Sequence, residues 1–254
     1  MIDMRKLLNL FVMMGVFGIT FVSCENELNP LVENIWEQQE AVAMEEEEPI
    51  SAEQLYEDIG LAEVVNYQAF EEAVAGFEQI EDKKKDVLTI IDFSLPSDEE
   101  RLYVIDLEQK ELLYKTHVLH GRNSGVKYAT SFSNQVNSYK SSQGFFLTNE
   151  TYHGKYGYSL RIDGLESGIN DKVRERAVVF HSSKYADPAR IKTAGRLGRS
   201  LGCPALPPQM SKPVIDAIRD GSVVYVFAEN EDYREKSDFF NDSISHGGAK
   251  KEFS

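Results

Sequence analysis

Between residues 86 and 227 the chain is written in short apolar segments separated by polar turns: "DVLTIIDF" (86–93), "RLYVIDL" (101–107), "ELLYKTHVL" (111–119), "QGFFLT" (143–148), "YSLRIDGL" (158–165), "RAVVFHS" (176–182) and "SVVYVF" (222–227). They are rich in β-branched and aromatic residues and too short for typical helices, so they read as strands. Residues 101–107 and 111–119 flank a short polar turn and predict a hairpin. One helix interrupts the strands over roughly 211–220, with Pro213 in its first turn, Gly221 just past its end and Val214, Ile215 and Ile218 on one apolar face. The expectation is a mainly β domain over 83–231 with one crossover helix.

Upstream, "SAEQLYEDIGLAEVVNYQAFEEAVAGFEQI" (51–80) places Leu55, Ile59, Val64, Phe70, Val74 and Phe77 at helical spacing. Ser51 reads as a capped start, Gly60 as a break, and Asn66 as the opening of a second helix. This gives a short helical region over 51–82, a cap or arm on the β domain. The stretch 25–50 ends in Glu45 to Glu48 and reads as an acidic tether. Residues 232–254 read as a polar tail. The net charge of −15 excludes a nucleic-acid binder, which needs a basic surface.

The N-terminus "MIDMRKLLNLFVMMGVFGITFVSCENELNP" has Arg5 and Lys6, then an apolar run from Leu7 to Val22 that falls short of the roughly 20 residues a spanning helix needs. This is the pattern of an export signal. Ser23 before Cys24 resembles a bacterial lipoprotein signal over 1–24, in which Cys24 receives lipid. An uncleaved anchor or an ordinary cleaved signal fits the same residues, and each of the three exports the chain.

Only one other cysteine exists, Cys203 in "GRSLGCPAL" (198–206). With Cys24 lipidated, Cys203 has no disulfide partner, and an odd thiol in an exported protein is either a small buried hydrophobe or a reactive group. A thiolate needs a base or positive surroundings. His181 closes the apolar strand 176–182, where its ring can face a cleft. Arg196 and Arg199 offer positive charge or a carboxylate site, and the amides of Gly202 and Cys203 offer an oxyanion hole. His120, at the end of "HVLHGRNSG", is a further candidate for the cleft. His117 and His120 stand three apart, which puts them on opposite strand faces and argues against a shared metal. A phosphatase loop fails because Gln209 stands where its arginine belongs, and no CxxC or phosphate loop occurs.

"HSS", sixteen residues, then "SLGC" resembles the signature of the L,D-transpeptidases of bacterial cell walls. "VLHGRNSG", "KSSQGFFLT", "YSLRIDG", "RAVVFHSS" and "GRLGRSLGCPALP" follow the order of that family's segments. The resemblance points to its murein L,D-transpeptidase catalytic domain branch. It implies a YkuD-type β-sandwich and no metal or organic cofactor. Cys203 would be the nucleophile and His181 its base. The Ser182 carbonyl would orient the imidazole, and the Gly202 and Cys203 amides would bind the oxyanion. Their own positions, not the resemblance, make Arg196, Arg199, Ser200 and His120 the candidates for substrate contact. Leu201 stands where the family has histidine, and Ala205 replaces a common polar residue. The substrate implied is the peptidoglycan stem tetrapeptide, attacked by a lipid-anchored monomer in the periplasm and acylable by carbapenems. Alternatives are an L,D-carboxypeptidase, attachment of an envelope protein, or a non-catalytic peptidoglycan-binding lipoprotein.

Overall fold

The computed structural model describes residues 51–240. The signal over 1–24, Cys24, the tether over 25–50 and His246 lie outside the described residues. The described chain runs α1 (Ala52–Ile59), α2 (Tyr67–Gln79), β1 (Val87–Asp92), β2 (Leu102–Asp106), β3 (Glu111–Thr116), β4 (Gly144–Gly154), β5 (Gly157–Gly164), β6 (Val179–Ser182), α3 (Ile191–Ala194), β7 (Ala205–Leu206), α4 (Pro208–Ile218), β8 (Val223–Phe227) and α5 (Glu231–Arg234). The mainly β class and the helical N-terminal region are as expected.

The strands pair in the order β3-β2-β1-β8-β4-β5-β6-β7. β1 with β8 and β6 with β7 are parallel, and the other neighbours are antiparallel, including the expected β2–β3 hairpin. The chain leaving β3 at one edge returns to the other, where Leu119 bridges Ala205 and Gly121 bridges Ser200. The sheet therefore curls back on itself.

Period-two alternation divides each central strand between two cores. Val87, Ile91, Leu102, Val104, Phe146, Val224 and Val226 face one, together with Val214, Ile215 and Ile218 of α4. Leu88, Ile90, Tyr103, Ile105, Phe145, Val223, Tyr225 and Phe227 face the other, where Phe70, Val74 and Phe77 of α2 close it. The 51–82 region is therefore not an appended arm, because α2 covers one face of the sheet. Burying Phe70 completely contributes about 1.5–3 kcal/mol. Gly76 is the contact point, since a Cβ there would lie 2.1 Å from the Phe145 ring.

The helix signals held in detail. Ser51 accepts from the Gln54 amide, Gly60 ends α1 with φ 73°, and Asn66 accepts from the Ala69 amide. Three expectations needed correction. Helix α4 begins at Pro208, so Pro213 sits inside it. Strand β4 continues to Gly154 because a register shift between Thr148 and Thr151 interrupts its pattern without ending it. The described part of the 232–254 tail, residues 232–240, packs on the domain: Tyr233 and Ser237 are buried against Glu166, which accepts from both hydroxyls and from the Phe145 amide.

Candidate active site

The site forms where β6 and β7 run side by side. His181 pairs with Ala205 and Ser182 with Leu206. Cys203 lies two residues before Ala205, so the parallel pairing brings thiol and imidazole to one cleft across 22 residues of sequence. A pocket of about 270 Å³ includes both, with Tyr156, Tyr185, Arg199 and Leu201 on its walls. A second lobe of about 230 Å³ meets the first at Cys203, with Asn137, Tyr139, Tyr156, Arg176 and Leu201 around it. The thiol stands on the ridge between two openings.

His181 is nearly buried, and its Nδ1 lies 2.8 Å from the Ser182 carbonyl oxygen. A carbonyl only accepts, so Nδ1 carries the proton and Nε2 keeps its lone pair. Burial pushes the imidazole pKa down, and the Ser182 carbonyl partly offsets this. The ring stacks on Tyr156 with centroids 4.5 Å apart and planes at 21°. The Cys203 thiol points its hydrogen at the Ala177 carbonyl, 3.7 Å away. Burial raises its pKa, while the Val179 amide and the Arg176 charge pull it down.

The remaining sequence candidates divide. Arg199 walls the first lobe, but its Nη1 donates to the Arg122 and Gly125 carbonyls at 3.0 and 3.2 Å. Arg196 turns to the Leu197 carbonyl at 2.8 Å. Neither reaches the thiol in the way Arg176 does. Ser200 reaches the pocket wall, yet its Oγ accepts the Gly202 amide at 3.1 Å. That bond occupies one of the two amides expected to bind an oxyanion. The Cys203 amide has no hydrogen-bond acceptor among the described residues. Gly202 has φ 123°, and a Cβ there would lie 2.9 Å from the Lys140 carbonyl, so its place requires glycine.

His120 is a correction. It is fully buried, with Nδ1 2.9 Å from Arg101 Nη2 and Nε2 3.3 Å from the Gly125 carbonyl, and cannot line the cleft. Its own carbonyl accepts the Ser200 amide, so it supports the turn before Cys203 from behind. Among the described residues no group of three His, Cys, Asp or Glu side chains could hold a metal.

Sequence reasoning missed Arg176 and Tyr156. Tyr156 is placed by a register that only the structure shows: Ser159 of β5 opposes His181, so the β4–β5 turn falls over the imidazole. Arg176 read only as the start of an apolar strand. The strand begins at Val179, because Ala177 adopts φ 52°.

Residues 61–227 match the family model of the L,D-transpeptidase catalytic domain. No curated protein matches the chain. Among solved structures, an L,D-transpeptidase from Mycobacterium smegmatis is 16% identical over 57% of this chain and 59% of its own, with a TM-score of 0.35. One from Stackebrandtia nassauensis is 15% identical over 71% and 77%, with a TM-score of 0.34. Bd1075 of Bdellovibrio bacteriovorus is 13% identical over 64% and 55%, with a TM-score of 0.38. The chain thus spans under two thirds of the M. smegmatis and B. bacteriovorus structures. The family model covers well over half of this sequence, and the chain belongs to the L,D-transpeptidase catalytic domain family.

Proposed function

We propose that the protein is a cysteine-dependent murein L,D-transpeptidase, exported and held to a membrane by lipid on Cys24. Cys203 Sγ attacks the carbonyl carbon between an L-centre and the terminal D-residue of a stem tetrapeptide. The thiol proton passes to His181 Nε2 and then to the departing amine, so the D-residue leaves and a thioester remains. An amine from a second stem attacks the thioester, returns a proton through His181, and leaves an amide and a free thiol. The observation carrying this reading is one pocket shared by Cys203 and His181, with Nδ1 tied to the Ser182 carbonyl. Two lobes meeting at Cys203 favour transfer over hydrolysis, since donor and acceptor each need an approach. Arg199 and Ser200 line the first lobe, which supports their expected contact with substrate.

A carbapenem should add one drug mass at Cys203 and none in Cys203→Ala. His181→Ala should slow acylation by about 10²- to 10⁴-fold. With a disaccharide-tetrapeptide, a cross-linked dimer supports transfer, and a tripeptide alone points to the carboxypeptidase. A folded protein inert to both reagents overturns the enzymatic reading. Fatty-acid labelling that marks Cys24→Ser as strongly as the wild type overturns the anchor.

A further inference from the structure

Arg176 stands beside the nucleophile yet directs its hydrogen bonds elsewhere. A guanidinium has five N–H donors. Nη1 donates to the Ser133 carbonyl at 2.5 Å and to Ser142 Oγ. Nη2 donates to the Lys140 carbonyl at 2.6 Å and to Ser138 Oγ at 3.3 Å. All four acceptors belong to residues 133–142, the segment that supplies Asn137 and Tyr139 to the second lobe. With four donors engaged, this side chain is not a free carboxylate clamp.

The segment needs such a tie. Asn137 and Tyr139 have φ of 61° and 55°, and a non-glycine residue there costs about 1–3 kcal/mol unless its surroundings hold it. Further restraints act on the same turn. The Asn123 amide donates to the Tyr139 carbonyl at 3.2 Å, and the Arg122 guanidinium lies 4.2 Å from the Tyr139 ring centroid.

The guanidinium also borders the turn that carries the sulfur. A Cβ on Gly202 would lie 3.5 Å from Arg176 Nη2. Other groups around Cys203 are the His181 imidazole from β6, the Tyr156 ring from the β4–β5 turn, Tyr139 from the segment, and Tyr185 and Arg199 in the first lobe. Arg199 is turned to carbonyls of residues 122 and 125. Arg176 lines the second lobe together with Cys203, and its positive charge pulls the thiol pKa down.

We propose that Arg176 is a positioning residue for the nucleophile: one guanidinium ties residues 133–142 into the cleft wall and thereby holds a fixed positive charge beside Cys203. The wall and the readiness of the sulfur are set by the same side chain. This rests on reading Cys203 as the nucleophile, but its test does not need turnover.

The full chain is treated with iodoacetamide across pH, and modification of Cys203 is followed by site-resolved mass spectrometry. Arg176→Met should slow alkylation near pH 7 about tenfold, the change made by a shift of about one pKa unit, and recover at high pH where the thiol ionises unaided. Arg176→Lys keeps the charge but cannot reach four acceptors. It should hold the alkylation profile within about threefold of wild type while amide exchange in 133–142 quickens. A wild-type profile in folded Arg176→Met overturns the proposal. So does a Lys variant whose profile moves by the full tenfold, because the effect would then be structural alone. If Arg176→Met does not fold, the Lys variant decides. Carbapenem acylation is read in parallel: its absence in a wild type with the expected alkylation behaviour overturns the transpeptidase reading and leaves the role of Arg176 standing.

Discussion

Acidification should destabilise this fold through one buried histidine. His120 is fully buried, and its Nδ1 faces the guanidinium of Arg101 at 2.9 Å. A guanidinium only donates, so Nδ1 must accept and the imidazole must be neutral. Adding a proton would bury a second cation against Arg101. Burial, followed by the Arg101 charge, lowers the His120 pKa from 6.5 to about 4. The unfolded chain binds this proton near pH 6.5 and the folded chain near pH 4. Stability from this group is therefore complete above pH 6.5 and falls as pH drops from 6.5 to 4. At about 1.4 kcal/mol for each pH unit, the gap amounts to about 3 kcal/mol. His120→Gln offers an acceptor to Arg101 and a donor to Gly125 without titrating. Urea unfolding followed by circular dichroism at pH 7 and pH 4 should show the wild type losing about 3 kcal/mol more than the variant. Asp92 and Glu166, whose carboxyl pKa values are raised by burial, act the opposite way in both proteins and cancel in the difference. Parallel losses in the two proteins, or a His120 resonance titrating near pH 6.5, would refute the reasoning.

Two further perturbations probe the cleft. Gly121→Ala places a Cβ 2.5 Å from the Tyr139 carbonyl and 2.8 Å from the Ser141 amide, both backbone, so residues 139–141 must move. Limited proteolysis within 133–142 should accelerate and acylation should fall at least tenfold, an overpacking cost of about 1–3 kcal/mol expressed in the wall of the site. Tyr156→Ala uncovers one face of His181, whose pKa is held down chiefly by burial. The imidazole should then titrate closer to its ordinary value by NMR, and an unmoved titration would show that Tyr156 does not shield it.

What the sequence disclosed follows the range of the interactions. Local signals translated directly: Ser51, Gly60 and Asn66 mark α1 and α2 because caps depend on a few neighbouring residues. Short apolar runs rich in β-branched residues over 87–91 and 223–227 marked strands but not their partners, so the parallel pairing of β1 with β8 was not legible. The amphipathic stripe of α2 announced a buried face without naming Phe145 and Tyr225 as what it covers. Tyr233 was lost in a polar stretch because its partner Glu166 is 67 residues away. At the site, Cys203 and His181 could be found from residue type and spacing. Arg176 could not, since its meaning depends on how the aperiodic 133–142 segment folds around it.

The same burial acts in opposite directions on the two central groups, raising the thiol pKa and lowering that of the imidazole. Both changes favour the neutral thiol and imidazole over a standing thiolate–imidazolium pair. The thiolate is the form that oxidants attack, so a neutral resting thiol suits a free cysteine in the oxidising setting proposed for this chain. Reactivity must then arise when a carbonyl enters the cleft and the proton leaves for Nε2 during attack. At that moment the sulfur departs from the Ala177 carbonyl, which accepts S–H but repels a thiolate, while the Val179 amide and the Arg176 charge favour the anion. The turn carrying Arg176 and Ala177 thus sets a positive charge against a carbonyl dipole at one atom, and the residue that supplies the carbonyl has a left-handed backbone.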